Sequence, residues 1–175
     1  MGAHVSEVVR IRETARIGAL GLPIDRYLDS LAQDLRRISG CPFAAITVVG
    51  KDVQWFYGRS GLAAAVMPRE FAFCDYTIRY PIPLEVRDTT SDRRFRDNPF
   101  VTGTQSLRFY AGLPIVTRSG ARIGAVCVLD TVRRSPLPDT VWRCLQSSAR
   151  TALSAMEFRI AAPGVPLRLS ARKRI

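Results

Sequence analysis

The chain of 175 residues is 47% hydrophobic and 23% charged, a balance typical of one globular domain with a real core. No apolar run reaches the roughly 18 residues of a membrane span, and the N-terminus lacks the apolar stretch of a secretory signal, so we expect no membrane association and a cytoplasmic location. The formal net charge of +11 is spread along the chain, so we do not expect a nucleic-acid partner.

Cysteine and histidine are used sparingly. Cys41, Cys74, Cys127 and Cys144 are far apart in sequence, without a CxxC pair, so neither a zinc site nor a disulfide framework is predicted. The one histidine, His4, lies in the terminal segment, so the core cannot form a Cys-His or Ser-His nucleophile pair or a histidine-bound metal or haem. We therefore predict no catalytic residue, no metal and no enzymatic activity.

The first half of the chain predicts two amphipathic helices followed by a β-hairpin. Apolar residues recur at helical spacing over Val5–Leu20 and over Ile24–Ser39, after which Gly40 ends the second helix. Phe43–Val49 is a short, β-branched apolar run, and Val53–Arg59 returns after a Gly-Lys-Asp turn.

The second half predicts short elements, then another hairpin and a long helix. The predicted elements are a loop marked by Gly58, Gly61 and Pro68, a short helix over Phe71–Tyr80, a strand over Leu84–Arg87, a turn after Asp88, strands over Leu107–Val116 and Arg122–Leu129, and a helix over Asp139–Ile160. Short hairpins join antiparallel neighbours, so this order indicates an α+β domain with about five or six strands.

Ten ordered pieces of this sequence are similar to the motifs of one known family. They are Gln54-Trp55-Phe56, Gly61-Leu62, Pro68-Arg69, Phe73-Cys74, Val86-Arg87-Asp88, Asp92–Phe95, Asn98–Gly103, Arg108–Pro114, Gly120 and Ile123–Asp130. In this order and spacing the chain resembles the bacterial GAF domain family from about Ile24 to Ile160. The resemblance implies a curved, PAS-related antiparallel sheet with terminal helices on one face and short helices and loops forming a pocket on the other.

The resemblance also sets the expected domain organisation and function. We expect an N-terminal helical segment over residues 1–22, a GAF domain over 23–162 and a disordered basic tail over 163–175. Members bind small molecules or none, and many dimerise through terminal helices as sensory parts of signalling proteins. The predicted function is a sensory module that binds a small polar or anionic ligand and relays its presence through a homodimer to a signalling output protein. A ligand-free dimerisation module is the alternative, followed by a small redox enzyme or thiol-based sensor.

Marks of particular subfamilies are missing. Cys74 is followed by Asp75 rather than histidine, so a bilin is not expected. Asn98 is followed by Pro99 and no Asp-Glu pair occurs, so the signature of cyclic-nucleotide phosphodiesterases is absent. None of the four cysteines lies in the Gly-Val-Cys-Gly motif of the free-methionine-sulfoxide reductases. We therefore expect no cofactor and leave the ligand unidentified.

The candidate site centres on Arg108 and Tyr110. Alternation along a strand puts both side chains on one face, where Arg108 could clamp an anion and Tyr110 could offer its hydroxyl. Alternatively, Arg108 fastens a loop and Tyr110 is a core residue. Asp88 and Asp92 are explained more simply by local structure, since Asp88 can close a turn and Asp92 can lie in a first helical turn. The predicted ligand-binding set is Trp55, Phe73, Cys74, Asp88, Arg108, Tyr110 and Cys127.

The last helix carries more apolar residues than one contact needs. Trp142, Leu153 and Phe158 lie outside its main apolar stripe. This width predicts a homodimer interface, unless the helices simply cover each other and the sheet.

Overall fold

The computed structural model describes residues 6–18 and 26–162, which form a sheet between two layers of helices. Residues 163–175, for which a disordered tail is predicted, lie outside the described residues, as do the ends of the predicted N-terminal segment. The elements are α1 Glu7–Gly18, α2 Arg26–Ser39, β1 Phe43–Val49, β2 Val53–Ser60, β3 Val66–Pro68, α3 Phe73–Thr77, β4 Leu84–Val86, α4 Pro99–Thr102, β5 Phe109–Val116, β6 Arg122–Asp130 and α5 Asp139–Ala161.

The sheet is antiparallel throughout and has six strands in the order β3-β2-β1-β6-β5-β4. The two predicted hairpins therefore lie side by side, with β1 against β6 at the centre. Cys127 of β6 lies opposite Ala45 of β1 and opposite Gly112 of β5. This register puts one of the cysteines in the middle of the sheet. The α+β class and the arrangement of helices and sheet predicted from the sequence are confirmed.

Both faces of the sheet are buried. Ile46 and Val48 of β1 face the core under the long helices α1, α2 and α5. Ala45 and Val49 face the opposite way, into a second core covered by short helices and loops. The alternation of a strand thus supplies two apolar layers from one apolar run, which explains why β1 is hydrophobic at nearly every position.

Candidate functional site

A small cavity lies within the second core, between the sheet and the short helices. Its volume is about 100 Å³. Its walls are mainly apolar and consist of Gln54, Phe56, Leu62, Ala64, Met67, Phe73, Cys74, Phe100, Leu107, Tyr110, Cys127 and Leu129. Ala64 is exposed and Leu62 is half-buried, so the cavity approaches the surface at the connection between β2 and β3.

Gln54 contributes a polar side chain to the wall of this cavity. The side chain belongs to a residue that is only 2% exposed, and its Nε2 donates to Met67 Sδ at 3.4 Å. Its Oε1 is buried without a hydrogen-bond partner among the described residues. A buried acceptor left unpaired costs roughly 1–3 kcal/mol of folding free energy. Such an atom in a cavity wall therefore indicates a place where a ligand can donate a hydrogen bond.

A second polar group of the wall is a cluster of two thiols and two hydroxyls. The Tyr110 hydroxyl donates to Cys74 Sγ at 3.4 Å and shares a hydrogen bond of 2.6 Å with Thr77 Oγ1. Cys74 Sγ lies 3.8 Å from Cys127 Sγ, and both thiols are free. Tyr110 is fully buried and the two cysteines nearly so. The cluster joins α3 to the two strands β5 and β6 beneath it.

The two thiols differ in acidity because they share hydrogen bonds. The hydrogen bond from Cys127, helped by Thr47 and Tyr110, lowers the pKa of the Cys74 thiol in spite of its burial. The same hydrogen bond to Cys74, together with burial, raises the pKa of Cys127 well above its usual value. Burial, and then the neighbouring thiolates, raise the pKa of Tyr110 as well. The pair therefore releases one proton, from Cys74, far more readily than the second.

An aromatic layer fixes α3 over the cluster. The Phe73 ring stacks on Phe95 with centroids 4.4 Å apart and planes within 9°, and it also stacks on Tyr110 at 5.3 Å. Tyr76 meets the Phe95 ring edge-on at 4.8 Å. Offset and edge-on contacts are the favourable arrangements of aromatic rings. Phe73 and Phe95 are therefore the two inner rings of the layer that holds the cavity wall in place.

Four of the seven residues predicted to bind a ligand line this cavity, namely Phe73, Cys74, Tyr110 and Cys127. Trp55 does not, because it packs in the other core, under the long helices. Its neighbours Gln54 and Phe56 point into the cavity instead. The residue predicted on β2 is therefore the neighbour of the two that line the cavity. Successive residues of a strand lie on opposite faces of the sheet, so Trp55 faces away from the cavity.

The two charged residues of the predicted set also lie away from the cavity. Arg108 donates from Nη1 to the backbone carbonyls of Val101 and Leu107, both at 2.9 Å, and so fastens the loop before β5. Asp88 accepts from the Thr90 backbone N–H and pairs with Arg133 at 2.9 Å. These contacts match the structural alternatives considered for both residues, and they leave no anion clamp in the cavity wall.

A chain of ion pairs connects the cavity wall to the N-terminal helix. Asp75, the residue after Cys74, pairs with Arg69 at 2.7 Å, and Arg69 pairs with Glu7 of α1 at 2.7 Å. Glu7 also holds Arg10 at 2.7 Å. Arg10 is buried and donates to the Val49 carbonyl at the end of β1. The sequence pattern did not predict this series of ion pairs, because Arg69 and Glu7 are 62 positions apart in the sequence.

The Glu7 carboxylate makes the stability of α1 dependent on pH. The hydrogen bond from Arg10, aided by Arg69, lowers the pKa of Glu7 to about 2. A lowered folded-state pKa stabilises the fold above the ordinary value of 4.5, and this contribution is lost as the pH falls towards 2. Because the Glu7 side chain is 55% exposed, solvent limits the effect to roughly 1 kcal/mol or less.

Urea denaturation should show that Glu7→Gln has a lower free energy of unfolding than the wild type near neutral pH. The difference between the two proteins should disappear in acid, where the wild-type carboxylate becomes protonated. Asp34→Asn, which removes the exposed Asp34–Arg37 pair, is the control.

The fold and the cavity together define a class of protein. Long terminal helices on one face of a six-stranded antiparallel sheet, with short helices over a small cavity on the other, are the features of an α+β domain built around a sheet with an internal cavity. The family model described as GAF domain matches residues 23–162. The chain therefore belongs to the GAF domain family, as its sequence motifs predicted.

One relative is a longer protein. Over 139 residues the chain is 40% identical to a cyclic di-GMP phosphodiesterase of Pseudomonas aeruginosa. The match covers 79% of this chain and 24% of that protein, so the chain spans about a quarter of the relative's length.

Solved structures share the fold at low identity. The GAF domain of an Acinetobacter phosphoenolpyruvate-protein phosphotransferase has a TM-score of 0.63 at 10% identity, and covers 92% of this chain and 100% of its own. A methyl-accepting chemotaxis protein (residues 122 to 287) has a TM-score of 0.63 at 20% identity, and the match covers 87% of this chain and 99% of the other. A type II free methionine-R-sulfoxide reductase from Thermoplasma acidophilum has a TM-score of 0.60 at 11% identity, and the match covers 74% of this chain and 89% of the other.

The relative bears in part on the predicted absence of enzymatic activity. It is a phosphodiesterase, which leans against that prediction, whereas the solved structures, at identities of 20% or less, show the fold alone. Residues 6–18 and 26–162 contain no cluster of three or more histidine, cysteine, aspartate or glutamate side chains that could hold a metal. None of the helices within these ranges is long and apolar enough to cross a membrane.

Proposed function

We propose that this GAF domain senses a small, mainly apolar molecule that carries one hydrogen-bond donor and occupies the cavity beneath α3. The observation that supports it is the Gln54 Oε1 atom, which lies in a mainly apolar wall and has no hydrogen-bond partner among the described residues. A cavity of about 100 Å³ has room for a molecule of roughly four to six non-hydrogen atoms. Apolar walls provide affinity and a single polar group fixes the orientation.

This ligand differs from the polar or anionic one expected from the sequence. Arg108, the predicted anion clamp, donates to backbone carbonyls, and Asp88 is held by Thr90 and Arg133. An anion in the cavity would meet mainly apolar groups and would lose its hydration without a compensating charge. A neutral molecule avoids that cost, so the character of the walls favours it.

We infer a relay that runs from α3 to α1. A ligand that displaces Phe73 or Cys74 also displaces Asp75 on the same short helix, and Asp75 is joined to α1 through Arg69 and Glu7. The output we propose is control of cyclic di-GMP turnover in an attached domain, by analogy with the Pseudomonas relative. A homodimer through the terminal helices would receive this signal, and Phe158 on α5, which is 42% exposed, is its candidate contact.

Isobutanol and isopentane test the cavity, because they differ mainly by a hydroxyl in place of a methyl group. Isobutanol should shift the amide resonances of residues around the cavity at lower concentrations than isopentane. Gln54→Leu should remove this preference and weaken isobutanol binding roughly tenfold, since a buried hydrogen bond is lost. Nuclear magnetic resonance titrations of the wild-type chain and of Gln54→Leu, each with both probes, measure the effect.

Gln33→Leu is the matched control, because Gln33 is exposed on α2 and should leave the preference for isobutanol unchanged. Equal binding of the two probes to the wild-type chain would contradict the role of Gln54. If neither probe shifts any resonance while light scattering finds a dimer, the function is that of the ligand-free dimerisation module.

A further inference from the structure

We propose that Cys74 and Cys127 form a redox-active pair that a hydroperoxide entering the cavity converts to a disulfide. The two sulfur atoms are 3.8 Å apart, in van der Waals contact and without a bond between them. Formation of a disulfide bond, whose length is about 2.0 Å, requires the two sulfur atoms to approach by roughly 1.8 Å. The other two cysteines are elsewhere, since Cys41 packs in the opposite core and Cys144 lies on α5 against that core.

The oxidation takes place in two balanced steps. The Cys74 thiolate attacks the outer oxygen of the hydroperoxide, a sulfur–oxygen bond forms, and the oxygen–oxygen bond breaks. The thiol proton leaves with the alkoxide as an alcohol, or as water if the oxidant is hydrogen peroxide. The Cys127 sulfur then attacks the Cys74 sulfenic acid, the sulfur–sulfur bond forms, and the hydroxyl departs as water with the Cys127 proton. In sum, two thiols and one hydroperoxide give a disulfide, an alcohol and water.

The surroundings of the pair favour the first step at Cys74. Its sulfur accepts a hydrogen bond from the Tyr110 hydroxyl at 3.4 Å, and the hydrogen bond with Cys127 adds to the stabilisation of the thiolate. Both cysteines line the cavity, and the exposed Ala64 marks where the cavity approaches the surface. Access is thus restricted to oxidants small enough to enter the cavity, which separates this site from an ordinary surface thiol.

Oxidation would also reach the ion-pair chain. The disulfide pulls Cys74 towards the centre of the sheet, and Asp75, the next residue of α3, pairs with Arg69 at 2.7 Å. A dithiol reductant reverses the bond by thiol–disulfide exchange. This inference goes beyond the proposed binding function, because it uses the cavity as an entrance and needs no stored ligand.

Treatment of the reduced full chain with hydrogen peroxide or tert-butyl hydroperoxide tests the proposal. Intact-mass and peptide-mapping spectrometry should show the loss of two hydrogen atoms and a link between Cys74 and Cys127. Cys127→Ser should instead accumulate a sulfenic acid on Cys74 that dimedone traps, and Cys74→Ser should form no disulfide. The matched control Cys144→Ser should behave as the wild type does.

Tyr110→Phe supplies a readout that a purely structural role would not change. Without the donated hydrogen bond the pKa of Cys74 rises, so the pH profile of the oxidation rate should move to higher pH and the rate near neutral pH should fall roughly tenfold. Circular dichroism and thermal melting verify that each variant is folded.

A link through Cys41 or Cys144, a disulfide only between chains, or equal oxidation of all four cysteines would overturn the proposal. The two hypotheses about the cavity fail independently. Isobutanol binding without disulfide formation supports only the binding function, whereas disulfide formation without binding of either probe supports only the thiol pair.

Discussion

Replacement of Phe95 by alanine should lower the free energy of unfolding by about 3–5 kcal/mol. The Phe95 side chain is completely buried and lies between Phe73, which stacks on it, and Tyr76, which meets it edge-on. Removal of the ring takes away its buried apolar area and its ring contacts with both neighbours, which leaves Phe73 stacked on Tyr110 alone. Since Phe73 is a wall of the cavity, the loss should also loosen the site.

Urea denaturation measures this effect, and Tyr80→Ala is the control. Tyr80 is also aromatic but is 62% exposed, so its truncation should cost about 0.5 kcal/mol or less. If the two variants are equally stable, the aromatic layer does not hold the second core together. A different result is that Phe95→Ala lowers the free energy of unfolding while isobutanol still causes the same shifts of the amide resonances. That result would mean that the aromatic layer stabilises the fold without shaping the cavity.

The sequence predicted the longer elements well because their signals are local. The apolar run of β1 is bounded by Pro42 and Gly50, and its predicted bounds are those of the structure. The loop expected before Phe71 contains the three-residue strand β3, and the four-residue helix α4 lies where no helix is predicted. Elements this short have no measurable period, and contacts made by neighbouring strands and caps decide their conformation.

The candidate site was harder to predict because it depends on which face of the sheet the long helices cover. Alternation along β2 shows that Trp55 and Gln54 point in opposite directions, but it does not say which of them faces a cavity. A single glutamine among the aromatic residues of that strand was the available signal. Arg108 shows the converse problem, since a guanidinium suits an anion and a pair of carbonyls equally well.

The contact between Cys74 and Cys127 illustrates what no local pattern can supply. The two residues are 53 positions apart, and they meet because α3 folds back over the central strand β6. Only the register of β6 against β1 and β5, which follows from the whole sheet, brings one thiol beneath the other.

Gly112→Ala should destabilise the chain by about 2–4 kcal/mol, because the new methyl group would occupy the space of the Tyr110 hydroxyl. Gly112 and Tyr110 are two positions apart on β5, and the Tyr110 ring leans over the glycine. A Cβ at position 112 would lie 2.7 Å from Tyr110 Cζ and 3.0 Å from Thr77 Oγ1, and closer still to the hydroxyl oxygen. The ring must therefore move, and its hydrogen bonds to Thr77 and Cys74 are lost with it.

A double-mutant cycle with Tyr110→Phe separates this overlap from a general loss of packing. In the Tyr110→Phe background the closest overlap is absent and the hydrogen bonds are already lost, so Gly112→Ala should cost at least about 1 kcal/mol less than in the wild type. Equal costs in both backgrounds would show that the hydroxyl is not what the glycine accommodates. Because the same hydroxyl donates to Cys74, Gly112→Ala should also slow the oxidation of the thiol pair, whereas Cys144→Ser should not. The glycine therefore links the packing of the sheet to the chemistry proposed for the cavity.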